Sequence, residues 1–146
     1  MTISVEIDPS ITGIIVPTAG SILNCVIEKE GYIVDDISII FGNDDLLNKL
    51  KNTFFQLNQL TDVIAFRLND YEKKEVEGEI YISVPRAREN AETFSEPVPR
   101  EIGRLIIHGG LHLVNYDDQT KADKDIMTQK EEEYLGQCKW QDLFHE

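Results

Sequence analysis

His108-Gly109-Gly110-Leu111-His112-Leu113-Val114-Asn115-Tyr116-Asp117-Asp118 is the stretch from which both the fold and the chemistry of this chain can be read. It closes an apolar run, Ile102 to Val114, that suits a buried helix. Histidines at i and i+4 lie one turn apart on the same helical face, so both imidazoles can reach one metal ion. Each glycine inside a helix costs roughly 1 kcal/mol relative to alanine, so Gly109 and Gly110 imply close backbone packing or space for a ligand. Asn115 stands where the helix should stop, because asparagine tolerates the left-handed conformation found there. The chain is then expected to reverse at Asn115-Tyr116 and to bring Asp117 or Asp118 back over the histidines. Two histidines, one carboxylate and an open position form a catalytic zinc arrangement that also suits non-haem iron. The open position would carry a water whose pKa the metal lowers. A zinc peptidase of the His-Glu-x-x-His type is disfavoured, because position 109 is glycine and the general base is missing.

Outward from this stretch, Ile3 to Ile7 alternates as a strand, Pro17 to Glu30 reads as a helix ended by Gly31, and Tyr32 to Phe41 is a β-branched strand. On the Pro17 helix the apolar side is Ile22, Leu23 and Val26. Gly42-Asn43-Asp44 is a turn with Asn43 or Asp44 as helix cap. Asp45 to Leu57 is amphipathic, with Leu46, Leu47, Leu50 and Phe54 expected inside. Asp62 to Leu68 and Glu79 to Val84 read as strands of an antiparallel hairpin joined by a charged loop, Asn69 to Glu77. Pro85 to Phe94 is a helix, Ser95 to Pro99 a stiff loop, and Arg100 to Val114 the histidine helix. Thr120 to Gln137 is the last helix, with Thr120 and Asp123 resembling a capping box. Trp140 and Phe144 in the tail are expected to dock on the body or on a partner. The sum is an α+β fold: a small mixed sheet of about four strands with about five helices, in one domain spanning 1-146.

The chain has 146 residues, 41% hydrophobic, with a net charge of −13. No signal peptide or membrane span is evident, and two buried or free thiols at Cys25 and Cys138 are favoured over a disulfide, so a cytoplasmic protein is expected. The acidity runs against nucleic-acid binding, which normally needs a basic footprint. Only residues 85–112 are balanced, with Arg86, Arg88, Arg100 and Arg104 against Glu89, Glu92, Glu96 and Glu101. Pairing of these arginines with the interleaved glutamates is the favoured reading, with a locally positive face as the rival. Other residues receive plainer expectations. His145 is read as exposed, Asp62 as bonded to backbone, Tyr116 as packed beneath the ligand loop, and Glu131-Glu132-Glu133 as a solvated helix face.

The histidine stretch resembles the signature of the YbeY family, metal-dependent endoribonucleases of ribosomal RNA maturation, H-G-x-L-H-L-x-G-Y-D-H. It matches at His108, Gly109, Leu111, His112, Leu113, Tyr116 and Asp117. Thr61-Asp62-Val63-Ile64-Ala65-Phe66 resembles the family's T-D-V-L-S-F strand, and Gly78-Glu79-Ile80-Tyr81-Ile82-Ser83 its G-D-I-x-I-S strand. Arg86 to Ala91 looks like the helix that follows, and Met127 to Glu133 is similar to an M-x-x-x-E-E pattern in the tail. The resemblance covers about residues 33–135. It implies one Zn2+ per chain on His108, His112 and Asp118, with aspartate in place of the family's third histidine. It also implies ribosomal RNA as substrate, with ribosomal proteins as further partners and neither DNA nor membrane expected.

Asn115 replaces the family's glycine, and the family's arginine before its T-D-V-L-S-F strand falls at or beside Phe55, with no arginine between Met1 and Phe66. An aspartate ligand lowers the net positive charge of the site, so bound water should be less acidic than under three histidines. A weaker hydrolase is therefore expected. The rival is a ribosome-assembly binding factor with a structural metal. No side chain is singled out as general base.

Overall fold

The computed structural model describes residues 2–55 and 61–144. The end of the second helix at Leu57, the side chain of Phe55 and the expectation for His145 fall outside the described residues. Among the described residues four strands, β1 Thr2–Ile7, β2 Ile33–Gly42, β3 Val63–Arg67 and β4 Glu75–Ser83, form one mixed sheet. Their order across it is β1-β2-β4-β3. β2 runs parallel to β1 and to β4, while β3 and β4 make the expected antiparallel hairpin. Five α-helices among the described residues complete the α+β fold: α1 Val16–Lys29, α2 Asp44–Phe55, α3 Val84–Thr93, α4 Val98–Leu113 and α5 Lys121–Leu135. Among the described residues no helix is long and apolar enough to cross a membrane.

Strand β2 shows how sequence is translated into burial. Val34, Ile37, Ile39 and Phe41 are buried, and two residues rather than one lie between the first pair. A register shift between Val34 and Asp36 accounts for this. The bulge inserts one residue, so Asp35 and Asp36 both face outward and the alternation restarts in phase. β4 begins four residues earlier than its apolar run suggests, at Glu75. Val76 is fully buried and Glu75 pairs with Ile33, so the strand takes up part of the charged segment that reads as loop.

Helix α4 is the central element and packs against α1, α3, α5, β3 and β4. Ile102, Leu105, Ile106, Ile107, Leu111 and Leu113 are fully buried along it. It starts at Val98, with Pro99 in the first turn, rather than after the Ser95–Pro99 segment. Proline suits that turn because its missing N–H would have no helical partner there. The two adjacent glycines mark close packing. A Cβ at Gly109 would stand 2.6 Å from Ile80 Cγ2, and one at Gly110 2.9 Å from Leu23 Cδ1. The helix that carries the histidines therefore lies directly on the sheet and on α1.

The caps follow residue chemistry. Asn43 Oδ1 accepts the Leu46 N–H at 3.0 Å, so Asn43 caps α2. Thr120 Oγ1 accepts the Asp123 N–H at 3.0 Å at the start of α5. On α2, Leu47 is buried but Phe54 is 62% exposed, against the expectation for it. Its ring instead meets Phe66 edge-on at 5.2 Å on the outer face of the sheet. The tail docks on the body: Leu143 is buried, its carbonyl accepts the Ile15 N–H at 2.8 Å, and Trp140 lies over Gly103.

Candidate metal centre

Helix α4 ends in a tight left-handed reversal that makes the site possible. Val114 is its C-cap and is followed by Asn115, whose φ is 75°. The Tyr116 N–H donates to the Leu111 carbonyl at 3.0 Å and the Asn115 N–H to the His112 carbonyl at 3.1 Å. These are the two bonds of a Schellman cap. The chain folds back as the Asn115 reading requires, and Asp118 arrives over the histidine face.

His108 Nε2 and His112 Nε2 are 3.0 Å apart. Asp118 Oδ2 lies 3.3 Å from the first and 3.4 Å from the second. A tetrahedral zinc site with bonds of about 2.0–2.1 Å has ligand–ligand edges of about 3.3 Å. The three atoms thus make one face of such a tetrahedron, and these residues can hold a metal ion. Asp117, the rival for the third position, lines the same cleft, and its Oδ1 accepts the Asp118 N–H at 2.8 Å.

Each histidine has its other ring nitrogen engaged. His112 Nδ1 is 2.9 Å from the Tyr116 carbonyl oxygen. A carbonyl only accepts, so Nδ1 carries the proton and a neutral His112 presents a bare Nε2. Burial, then the neighbouring His108, pushes the His112 pKa below its ordinary value, which keeps the ring neutral. His108 Nδ1 is 2.6 Å from Glu131 Oε2. An ionised carboxylate also only accepts, so this nitrogen is the donor as well. The Nε2 atoms of the two rings and a carboxylate oxygen then converge at 3.0–3.4 Å, an arrangement that a cation stabilises.

Glu131 belongs to the triplet read as a solvated face, and that expectation is corrected. Glu132 and Glu133 are exposed, but Glu131 is 5% exposed. Arg104 Nη1 donates to its Oε1 at 3.2 Å. The same guanidinium grips Glu101 through two bonds of 2.8 Å and stands 3.7 Å from Asp62 Oδ2. The hydrogen bonds to Glu101, opposed by burial, raise the Arg104 pKa, so it stays charged throughout. Asn90 Nδ2 joins Asp62 and Glu101 at 3.0 Å each. Asp62 is therefore bound by side chains as well as through its backbone carbonyl, which accepts from the Ser83 N–H. A signal for Glu131 was present in α5. Met127, Glu131, Tyr134 and Leu135 are its buried residues, spaced i, i+4, i+7, i+8.

Arg67 is another residue whose role the sequence did not disclose. Its Nη1 donates to the Leu113 carbonyl at 2.7 Å, and Nη2 binds the Asp70 and Lys73 carbonyls in the β3–β4 loop. A guanidinium here satisfies a carbonyl at the end of α4 and complements its negative pole. Three of the four arginines of the balanced segment pair as favoured: Arg86 with Glu89 and Asp44, Arg100 with Glu96 and Glu132, Arg104 with Glu101. Arg88 lies 5.9 Å over the Phe144 ring. Cys25 and Cys138 are free thiols. The metal face opens into a cleft of about 590 Å³ that Lys51, Asp62 and Tyr71 also line.

Residues 14–139 match the family model described as Endoribonuclease YbeY. The chain is 39% identical over 111 residues to the Endoribonuclease YbeY of Chlorobium limicola, covering 76% of each chain. It is 40% identical over 124 residues to the protein of that name from Flavobacterium psychrophilum, covering 84% of this chain and 82% of the relative. The solution structure of TM1509 from Thermotoga maritima superposes with a TM-score of 0.62 at 25% identity, over 92% of this chain and 87% of that one.

Proposed function

This chain belongs to the Endoribonuclease YbeY family, and on that premise we propose that it is a zinc-dependent endoribonuclease acting in ribosomal RNA maturation. The carrying observation is the convergence of three electron-pair donors, His108 Nε2, His112 Nε2 and Asp118 Oδ2, within 3.4 Å of one another. These three residues would hold one zinc ion per chain, and 1–146 would act as one hydrolase domain. When bound, the ion supplies Lewis-acid chemistry, acidifying water and neutralising charge on a phosphodiester.

The chain's own residues prepare that chemistry. Glu131 and the Tyr116 carbonyl fix both imidazoles with Nε2 forward. Asp118 adds a negative charge where relatives with three histidines have none, which favours a slower hydrolase working best at higher pH. Lys51 brings a positive charge to the cleft in which an RNA strand would lie. Ribosomal proteins as partners and a cytoplasmic location belong to the same reading, supported by the family resemblance.

Incubating the purified chain with ribosomal RNA precursor at low salt, with and without chelator, tests the proposal. The expected result is cleavage that chelator abolishes and zinc restores, with DNA left intact. Binding without cleavage would overturn it in favour of an assembly factor with a structural metal. Cleavage indifferent to chelator and retained in His108→Ala would overturn it too.

A further inference from the structure

We propose that Glu30, at the end of α1, is a positioning residue of the metal centre that acts through Tyr116. The proposal rests on the metal reading of His108, His112 and Asp118.

Tyr116 links two of the three candidate ligands. Its carbonyl sets the His112 ring, and Asp118 follows two residues later. Its own position relies on a reversal through Asn115 at φ 75°, a conformation that a non-glycine residue adopts at a cost. Something must hold the turn shut. The Tyr116 hydroxyl donates to Glu30 Oε1 at 2.7 Å. Glu30 is itself anchored by the Tyr134 hydroxyl and by Lys130 Nζ at 3.3 Å, both on α5. Its side chain is only 11% exposed.

Burial opposes ionisation of Glu30, yet the bonds from Tyr134, Tyr116 and Lys130 outweigh it and lower its pKa. The carboxylate is therefore a charged acceptor, the stronger kind of anchor for a phenol. Glu30 stands at the C-terminal cap of α1, where a second Schellman reversal turns through Gly31. Ends of two packed helices are thus tied together by one carboxylate–phenol bond. The rigid α1 end holds the turn that carries a ligand and orients another. Groups bonded directly to metal ligands typically contribute 10–100-fold to metal affinity; Glu30 acts one link further out, through Tyr116, so the lower end of that range is expected.

The test compares Glu30→Ala, Glu30→Gln, Tyr116→Phe and Tyr134→Phe in the full chain. Zinc affinity is read by chelator competition, and the His112 tautomer by nitrogen NMR of the metal-free chain at constant pH. Glu30→Ala and Tyr116→Phe should each weaken zinc about 10-fold and let His112 exchange between its Nδ1–H and Nε2–H forms. Glu30→Gln keeps an acceptor oxygen and should recover most of the affinity. Tyr134→Phe leaves the Tyr116 bond in place and should stay near native. Tyr116→Phe removes a single oxygen, so it carries the test if Glu30→Ala does not fold.

Lower thermal stability with unchanged affinity and tautomer in Glu30→Ala and Tyr116→Phe would make Glu30 structural only and overturn the proposal. If the native chain binds no zinc, the metal reading fails, and the tautomer alone decides whether Glu30 positions His112.

Discussion

His108 and His112 sit one turn apart on α4, yet they are held by different kinds of structure. His108 is fixed by charge: Glu131, Arg104, Glu101, Asn90 and Asp62 form a largely buried network reaching from α5 through α3 to the start of β3. His112 is fixed by backbone: a carbonyl in the reversal that ends its own helix. Removing one member of a buried charge network strands the others in a poorly solvating interior, whereas weakening a turn costs little stability but loosens geometry. If a metal binds there, one site would combine a stiff ligand whose loss is felt by the whole fold with an adjustable ligand whose loss is felt by the metal.

Glu131→Ala should break this comparison most severely. It leaves the His108 Nδ1–H without its acceptor and takes one carboxylate from Arg104. Urea denaturation of the metal-free chain should show a loss of about 3 kcal/mol. A loss no greater than that of Tyr116→Phe would contradict the contrast between the two histidines. Gly109→Ala comes next and strikes both histidines together. The new methyl would meet Ile80 at 2.6 Å, so the helix must lift from the sheet, at about 1–3 kcal/mol in the same assay.

How far the sequence discloses this molecule follows the same division. The local side was legible: His108 and His112 on one helical face, the left-handed stop at Asn115, and Asp118 returning over them all rest on near-neighbour geometry. The sheet and helices were legible too, since their apolar periods differ. The charge network was not. Arg104 and Glu131 meet across 27 residues, and a glutamate triplet looks alike whether one member is buried or none. Burial of Glu131 depends on α5 facing α4 with its Met127 stripe, a tertiary fact. Phe54 failed for a similar reason: amphipathic spacing gives a face, but what covers that face is a tertiary fact, and Phe54 is left 62% exposed.

Two gentler changes sharpen the comparison. Asn115→Gly relieves the positive φ at the His112 end, and should stabilise the chain by roughly 0.5 kcal/mol in thermal unfolding. A destabilised variant would mean that the asparagine side chain, not the backbone geometry, supports the turn. The smallest effect is the acid response of Glu30, whose bonds to Tyr134, Tyr116 and Lys130 lower its folded pKa below the ordinary 4.5. A carboxylate of that kind contributes stability above its unfolded pKa and loses it as pH falls through the folded value. Native stability minus that of Glu30→Gln should therefore be constant above about pH 5 and shrink below pH 4.5. A difference independent of pH would show that the charge of Glu30 adds nothing to its hydrogen bonds.

The central claim is that His108, His112 and Asp118 form one metal site. Elemental mass spectrometry of the native chain and of Asp118→Ala, both purified after exposure to zinc, tests it most directly. About one zinc per native chain is predicted, with a sharp fall in the variant. No zinc in the native chain, or equal zinc in the variant, would contradict it.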